Sequence, residues 1–314
     1  MLLILSRLLL FIFAASQLSS KLSVSAKHHR KRPACKELTT RVEWNTLTEQ
    51  EKADYFAAEL CLLAAPAQTS IADVASRYDD LQADIPGGNG LWHATGQLLH
   101  VHRYFLFAHE MLLRTECGYT GALPYWNEVV DAGAFSTSPV VLDFGGEGTE
   151  EKNWAVVDGP FANLTLYLGP GMTNTVHPLT RQANESVQSG QQFVDSQLAT
   201  ATFAEFKDMM RPGIHFAGHK GVGGEMGNVI TSPNDPIFWL HHGYVDYIWW
   251  KWQGDNETRI HDLEGIGYET QREPDTGYVE TTADTVLYLY DVLPNATVGD
   301  MSDTKRGFLC YTYV

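Results

Sequence analysis

Residues 214–252 read IHFAGHKGVGGEMGNVITSPNDPIFWLHHGYVDYIWWKW, and this stretch decides the fold. His215 and His219 are four residues apart, so on a helix their rings lie on one face, about one turn from each other. His242 offers a third imidazole, because Asp235 and the proline after it fit the start of a second helix that carries the chain inward. Histidine rings among so many aromatic residues are costly to bury without partners. The stretch therefore predicts a buried metal site with three imidazole ligands.

The HxxxH pattern, followed by GGxMGNVxTSPNDPIFWLHHxxVDxIWWxWQ, closely resembles the second metal-binding segment of the tyrosinase, catechol oxidase and hemocyanin family in its short fungal form. The resemblance covers residues 42–313. It implies a mainly α fold, a tyrosinase/hemocyanin-like helical bundle around a metal centre, with short β pieces and long loops. It also implies His215, His219 and His242 as metal ligands, His241 as an adjacent non-ligand, and Asp246 as a carboxylate able to orient an imidazole or its neighbours.

Local patterns predict the helices of this bundle. Helical spacing covers residues 49–65, 71–85, 91–116 and 191–210. Thr48 and Glu51 form a capping box for the first helix, and Gly118 closes the third. Glu205 is interpreted as a solvated carboxylate on the last helix. Residues 118–190 are predicted to be mostly loops, and residues 278–294 to form short strand-like pieces.

The beginning of the chain differs in composition from the rest. Residues 1–20 hold an apolar run with one arginine and then small residues, which is typical of a secretory signal peptide and too short for a stable membrane span. Residues 21–32 form a basic leader, a candidate propeptide that ends at Lys31-Arg32. Residues 33–314 contain no linker or low-complexity segment, so we predict a single tyrosinase-like domain.

The charge balance excludes one class of partner. Residues 1–32 hold six of the 22 Lys and Arg residues and none of the 38 Asp and Glu residues, so the rest of the chain is strongly acidic. Phosphate binding needs the opposite sign, and we therefore predict no nucleic-acid partner. The expected partner is a small aromatic substrate, and the sequence says nothing of oligomeric state.

Cysteines and glycosylation sequons indicate the secretory pathway, with release or retention in a lumenal compartment. The four cysteines predict two disulfides, for which three connectivities remain open. Sequons for N-glycosylation begin at Asn163, Asn184, Asn256 and Asn295. Together with the signal peptide, these features predict an N-glycosylated protein that passes through an oxidising compartment.

The family's first metal segment is incomplete in this chain. The stretch LLHVHRYFLFAHEMLLRTECGYTGALPYW resembles it, and the resemblance implies His93 and His102 as its second and third ligands. No histidine occurs between His29 and His93. Counting back from the YDD shared with short fungal relatives, the position of the first ligand falls at Ile85.

Three residues are candidates to replace the missing ligand. His109 lies two helical turns from His102, too far for one ion, and His100 points to nearly the opposite face. Asp84, beside Ile85, remains an alternative ligand. No cysteine lies two residues before His93, which excludes the thioether crosslink of many relatives.

The missing ligand leads us to expect one well-held ion. His215, His219 and His242 match a catalytic zinc site with an open fourth position. Such a chain is similar to the fungal cyclopenases, zinc enzymes of this fold, and we expect a non-oxidative lyase or hydrolase acting on an aromatic secondary metabolite. His93 and His102 would then act as catalytic proton donors or acceptors, since imidazole titrates near neutrality.

Two other functions are compatible with the sequence. The first is a catechol or aminophenol oxidase with two copper ions, because imidazole suits copper as well as zinc. Phe216 follows His215 where enzymes that hydroxylate monophenols generally have Asn, so this alternative would not include monophenol hydroxylation. The second is a non-catalytic oxygen or metal binder, as hemocyanins are.

Overall fold

The fold is mainly helical, as predicted. The computed structural model describes residues 32–83, 92–171, 173–185, 188–289 and 292–314. Their helices are α1 (Glu49–Ala64), α2 (Arg77–Ala83), α3 (Leu98–Cys117), α4 (Pro139–Asp143), α5 (Gln191–Leu198), α6 (Phe203–Met210), α7 (Phe216–Val222) and α8 (Ile237–Gly254). The predicted signal peptide, nearly all of the basic leader, and the positions of Asp84 and Ile85 lie outside the described residues.

The strands are short and lie at the edges of the helices. They are β1 (Thr39–Arg41), β2 (Thr165–Leu166), β3 (His177–Pro178), β4 (Val286–Leu287), β5 (Ala296–Thr297) and β6 (Tyr311–Tyr313). β1 pairs in parallel with β6, while β2 with β3 and β4 with β5 form antiparallel pairs. The first pair joins the two ends of the described chain, so residues 32–314 form one compact unit.

Side-chain caps determine where the first two helices begin. Thr48 accepts a hydrogen bond from the N–H of Glu51, whose carboxylate accepts one from the N–H of Thr48, so the predicted capping box is confirmed. The predicted second helix is too long at its start, because α2 begins only at Arg77. There Asp79 accepts a hydrogen bond from the N–H of Ser76 at 2.9 Å, which caps the helix at this point.

The long helix α3 begins later than the sequence predicts. It is closed by Gly118 with a φ of 68°, as expected for a helix-terminating glycine. The predicted helix includes His93, but a turn precedes α3, in which the Thr95 hydroxyl donates to the carbonyl of Trp92 at 2.9 Å. His93 therefore lies in this turn and not on the same helix as His102.

Residues 191–210 form two helices, where the sequence predicts one. Thr202 starts α6 through a capping box with Glu205, so the chain breaks between α5 and α6. Glu205 is exposed at this helix start, which confirms that it is a solvated helix carboxylate. After α6 the chain makes a π-helical turn, Arg211–His215, in which Gly213 has non-helical dihedral angles. This kink separates α6 from α7 immediately before the HxxxH pair.

A buried ion network joins α3 to α8. Asp246 of α8 accepts a hydrogen bond from Arg103 of α3 at 2.6 Å. It also accepts hydrogen bonds from the hydroxyls of Tyr311 and Tyr313, each at 2.6 Å. Burial alone would raise the pKa of Asp246, but the charges of Arg103 and Arg41 and these hydrogen bonds hold it below its ordinary value. Asp246 thus fixes the spacing of the two histidine-bearing helices and, within the described part of the chain, binds no imidazole itself.

Two disulfides stabilise the fold. Cys61–Cys117 links α1 to the end of α3, and Cys35–Cys310 lies beside the β1–β6 pair. This resolves the connectivity that the sequence left open and is consistent with a secreted protein. The signal peptide and glycosylation stay predictions, although the four sequon asparagines are exposed: Asn163, Asn184, Asn256 and Asn295. No helix in the described ranges is both long and apolar enough to cross a membrane.

Candidate metal centre

Five histidine rings meet in one cluster between the helices. They come from the turn before α3, from α3, from the π-helical turn, from α7 and from α8: His93, His102, His215, His219 and His242. The centres of neighbouring rings lie 4.3 to 5.9 Å apart. All except His93, which is partly exposed, are buried. The structure therefore brings together every residue that the sequence assigned to the site.

The ring nitrogens of this cluster, together with those of the adjacent His241, form two overlapping donor groups. The first contains His215, His219, His241 and His242, and the second contains His93, His102 and His215. Within each group the candidate ligand atoms lie within 4.8 Å of one another. His215 belongs to both groups, and the His102 ring stacks on the His242 ring with centres 4.3 Å apart. The two groups are therefore adjacent and could hold two ions side by side.

Individual nitrogens of the first group fit a metal ion. Nε2 of His219 and Nε2 of His242 are 3.2 Å apart. Two nitrogens bonded to one tetrahedral ion at about 2.0 to 2.1 Å are separated by about 3.3 Å. Nε2 of His215 is buried and has no hydrogen-bond partner in the described part of the chain. Because buried polar atoms normally find partners, an unpaired nitrogen beside such a pair suits metal ligation.

Backbone carbonyls orient two of the rings. Nδ1 of His102 lies 2.7 Å from the carbonyl oxygen of Leu98, and Nδ1 of His219 lies 3.0 Å from that of Met226. A carbonyl can only accept, so Nδ1 carries the proton in both rings and Nε2 keeps its lone pair. This is the tautomer that binds a metal through Nε2.

Burial keeps these rings neutral. Burial and the neighbouring His93 lower the pKa of His102 to about 3. Burial, followed by the charges of neighbouring histidines, also lowers the pKa of His215, His219 and His242 well below the ordinary value. Neutral imidazole is the form that binds metals. Burial disfavours the charged form of the His102 ring, and the proton-transfer role of His93 and His102 stays a prediction.

A second layer behind the cluster was not predicted. Nδ1 of His241 lies 2.5 Å from a carboxylate oxygen of Glu128, and both residues are fully buried. A Cβ atom added to Gly218 would lie 2.1 Å from this Nδ1, so glycine leaves the space that the His241 ring fills. The His241 ring in turn lies 4.5 Å from that of His219. Two features of the sequence could have indicated this second layer. They are Gly218, directly before His219, and Glu128, two residues after the PYW motif.

A cavity of about 480 Å³ opens over the histidines. His93, His215 and His219 line it. The remaining lining residues are mostly apolar or small, with two cations: Arg211, Pro212, Phe216, Lys220, Met226, Gly227, Val229 and Ser232. This size and lining suit a small aromatic molecule.

The other histidines of the described residues belong to neither donor group, as predicted. His100 packs edge-on against Trp249 with ring centres 4.8 Å apart, and burial lowers its pKa to about 3. His109 stacks on Trp239 and places Nε2 2.9 Å from Glu59. His177 and His261 are also outside the cluster. Whether Asp84 supplies the missing ligand stays a prediction, since this position is outside the described residues.

Comparisons with known sequences identify relatives. The family model Tyrosinase, described as the common central domain of tyrosinase, matches residues 65–255. Tyrosinase ustQ of Aspergillus flavus is 32% identical over 300 residues, which cover 90% of this chain and 81% of that protein. Tyrosinase P of Aspergillus terreus is 30% identical over 335 residues, which cover 90% of this chain and 93% of that protein.

Solved structures share the same architecture. A polyphenol oxidase from Thermothelomyces thermophila has a TM-score of 0.82 at 27% identity, and the match covers 91% of each chain. A functional unit of octopus hemocyanin, with a TM-score of 0.55 at 22% identity over 88% of this chain and 68% of that one, shares the fold. The family match spans more than half of the chain and includes all five clustered histidines. The chain therefore belongs to the tyrosinase family, in its short fungal form, and is a metal-dependent enzyme of that fold.

Proposed function

We propose that this chain is a copper-dependent oxidase of small aromatic molecules that carry neighbouring hydroxyl or amino groups. The observation that carries the proposal is the pair of adjacent donor groups, which share His215 and stack His102 on His242. A single zinc site needs only the first group. Because imidazole suits both metals, the second group of donors, rather than the donor type, is the argument for a copper pair.

The names of relatives support oxidation over non-oxidative chemistry. Besides the two tyrosinases, the N-acetyl-6-hydroxytryptophan oxidase ivoB of Emericella nidulans is 27% identical over 340 residues, which cover 88% of this chain and 92% of that protein. The polyphenol oxidase is also named for an oxidation. The zinc enzyme favoured by the sequence therefore becomes the second candidate.

The roles of the chain's own residues follow from the geometry. His215, His219 and His242 would hold one ion, and His93 and His102 would hold the other. When bound, the copper pair supplies one-electron redox chemistry with O2. The carbonyls of Leu98 and Met226 keep the metal-binding nitrogens of His102 and His219 free of protons, and burial of the rings excludes water.

Phe216 defines which phenols the cavity suits. Phe216 is 52% exposed and lines the cavity directly after His215. A phenyl ring can pack against an aromatic substrate, but it has no group that accepts the proton of a monophenol. We therefore restrict the proposal to catechols and aminophenols, whose hydroxyl groups are more easily oxidised, and exclude monophenol hydroxylation.

The second candidate is a non-oxidative zinc enzyme, a lyase or hydrolase resembling cyclopenase. The observation in its favour is the sequence itself, which has Ile85 where the family places a sixth histidine. In this case His215, His219 and His242 would hold a single zinc ion, and His93 and His102 would act as proton donors or acceptors, with His93 at the cavity.

Metal analysis and oxygen uptake separate the two candidates. Protein produced in copper-rich and in zinc-rich medium is analysed for metal content, and O2 consumption is measured with tert-butylcatechol. The proposal expects two copper ions per chain and catechol-dependent O2 uptake. One zinc ion per chain in both media, with no uptake after copper loading, would refute the oxidase and favour the second candidate.

Variants of the shared ligand sharpen this test. His215→Ala should lower the occupancy of both ions, because His215 belongs to both donor groups. His219→Ala should lower mainly the occupancy of one. His261→Ala, an exposed histidine outside the cluster, is the matched control and should keep full metal content.

A further inference from the structure

Two basic side chains line the cavity without an acidic neighbour. Arg211 and Lys220 are both lining residues, and no Asp or Glu is among the lining residues that the structure describes. The whole chain has a formal net charge of −16 at pH 7. The charged side chains that line the cavity are therefore basic, although the protein as a whole is acidic. We call Arg211 and Lys220 the basic pair.

The basic pair brackets the segment that carries the histidines. Arg211 is the first residue of the π-helical turn that ends at His215, and Lys220 directly follows His219 on α7. Arg211 and Lys220 therefore line the same cavity as His93, His215 and His219. Phe216, between them in sequence, lies 5.8 Å from the Lys220 ammonium, measured to the centre of its ring.

Neither charge of the basic pair is neutralised. Among the residues that the structure describes, the Arg211 guanidinium forms no hydrogen bond or ion pair. The Lys220 ammonium donates to the carbonyl of Gly227 at 2.9 Å, which holds it in place but leaves its charge. By contrast, Lys207 on the neighbouring helix pairs with Asp208 at 2.8 Å. A fixed ammonium and a free guanidinium at one cavity are suited to bind an anionic group.

We infer that the cavity selects aromatic substrates that carry an acidic group, a carboxylate a few bonds from the ring, and that Arg211 binds this group with Lys220 adding a second positive charge. The inference rests on the proposed function for the identity of the reacting ring. The ring would pack against Phe216 and Val229, which are both about half exposed at the cavity. A volume of about 480 Å³ accommodates a ring with a short acidic side chain.

Binding to zinc-loaded and to metal-free protein tests the inference without any turnover. The probes are hydrocinnamate and its uncharged amide, titrated by calorimetry at low salt. The acid should bind at least about tenfold more tightly than the amide, as expected for a charge-assisted pair. Arg211→Gln should remove most of this preference and Lys220→Gln a smaller part. The exposed Arg272→Gln and Lys251→Gln are matched controls and should change nothing.

An acid preference that survives both Arg211→Gln and Lys220→Gln would overturn the inference, because another group would then bind the carboxylate. So would equal affinities for acid and amide in the unmodified protein. The metal-free titration matters here, since a preference that exists only with zinc would come from the ion and not from the basic pair.

Turnover separates failure of this inference from failure of the proposed function. With copper-loaded protein, the ratio of kcat/KM for dihydrocaffeate to that for its methyl ester should fall about tenfold in Arg211→Gln, mainly through KM. Arg211→Lys should restore part of the ratio. If both substrates turn over and the ratio is unchanged in Arg211→Gln, the inference fails and the oxidase stands. If neither turns over, the oxidase fails and the titrations alone decide the acid preference.

Discussion

Asp246→Asn is expected to be among the most destabilising single changes in this protein. The substitution keeps the shape of the side chain but removes the carboxylate that faces Arg103 at 2.6 Å and Arg41 at 3.4 Å. Arg41 keeps its ion pair with Glu110 at 2.7 Å, whereas Arg103 loses its only carboxylate partner in the described ranges. Removing one partner of a buried ion pair costs about 3 to 5 kcal/mol, because a charge remains buried without compensation.

Denaturant unfolding measures this cost. We expect the free energy of unfolding to fall by about 3 to 5 kcal/mol and the melting temperature by about 10 °C. The matched control is Asp255→Asn, which removes the carboxylate of a surface pair, 63% exposed and 3.7 Å from Arg259, and should cost less than about 1 kcal/mol. If the two substitutions destabilise equally, the buried network does not hold α3 against α8 and the reasoning is refuted.

The same network predicts that the stability of the protein depends on pH. The pKa of Asp246 is lower in the folded protein than in the unfolded chain, where it is about 3.9. The contribution of Asp246 to the free energy of unfolding is therefore fully present above about pH 4. It is lost as the pH falls through the pKa that Asp246 has in the folded protein. The stability difference between the unmodified protein and Asp246→Asn should be constant from pH 6 down to about pH 4 and shrink below it. A difference that grows with acid would contradict this assignment.

Three further changes have defined outcomes. Gly218→Ala should lower metal content and melting temperature, because the added Cβ would lie 2.1 Å from the His241 ring; Gly254→Ala, where nothing lies within 4 Å, is the control for elemental analysis and melting curves. Replacing Cys61 and Cys117 by serine should cost about 4 kcal/mol in urea unfolding, because the bond spans 56 residues, and an unchanged midpoint would contradict the pairing. Chelation of bound metal should lower the melting temperature and copper should restore it, since ligands that bind only the folded state stabilise it; a melting curve insensitive to metal would argue against the buried site.

The sequence predicts those features whose partners lie within about one helical turn. The HxxxH pair, the Thr48 capping box and the glycine that ends α3 depend on residues three to five positions apart, and each has the expected structure. The break between α5 and α6 also has a local signal, the capping box of Thr202 with Glu205. It was missed because apolar residues continue at helical spacing across it, and periodicity alone does not reveal a cap.

Features that join distant parts of the chain could not be predicted in the same way. His241 and Glu128 are 113 residues apart, and Arg103 and Asp246 are 143 residues apart. No local pattern pairs them, because any buried acid would serve His241 or Arg103 equally well until the fold brings one of them near. The disulfide pairing could not be predicted for the same reason, because the paired cysteines are 275 and 56 residues apart. The family resemblance supplied the clustered histidines, but not the residues that support them from behind.

The number of histidines alone does not decide between one ion and two. Five imidazoles, counted along the sequence as three and two, suggest one complete site and one deficient site. In the fold the two groups are adjacent, because the His215 ring offers a nitrogen within 4.8 Å of candidate ligand atoms in both the His219–His242 pair and the His93–His102 pair. The second group therefore lies where a second ion would be next to the first, and the His102 ring is already held in its metal-binding tautomer by the Leu98 carbonyl. A site built only around His215, His219 and His242 does not use this preparation of His102 to bind metal, and for this reason the oxidase is preferred over the single-zinc enzyme.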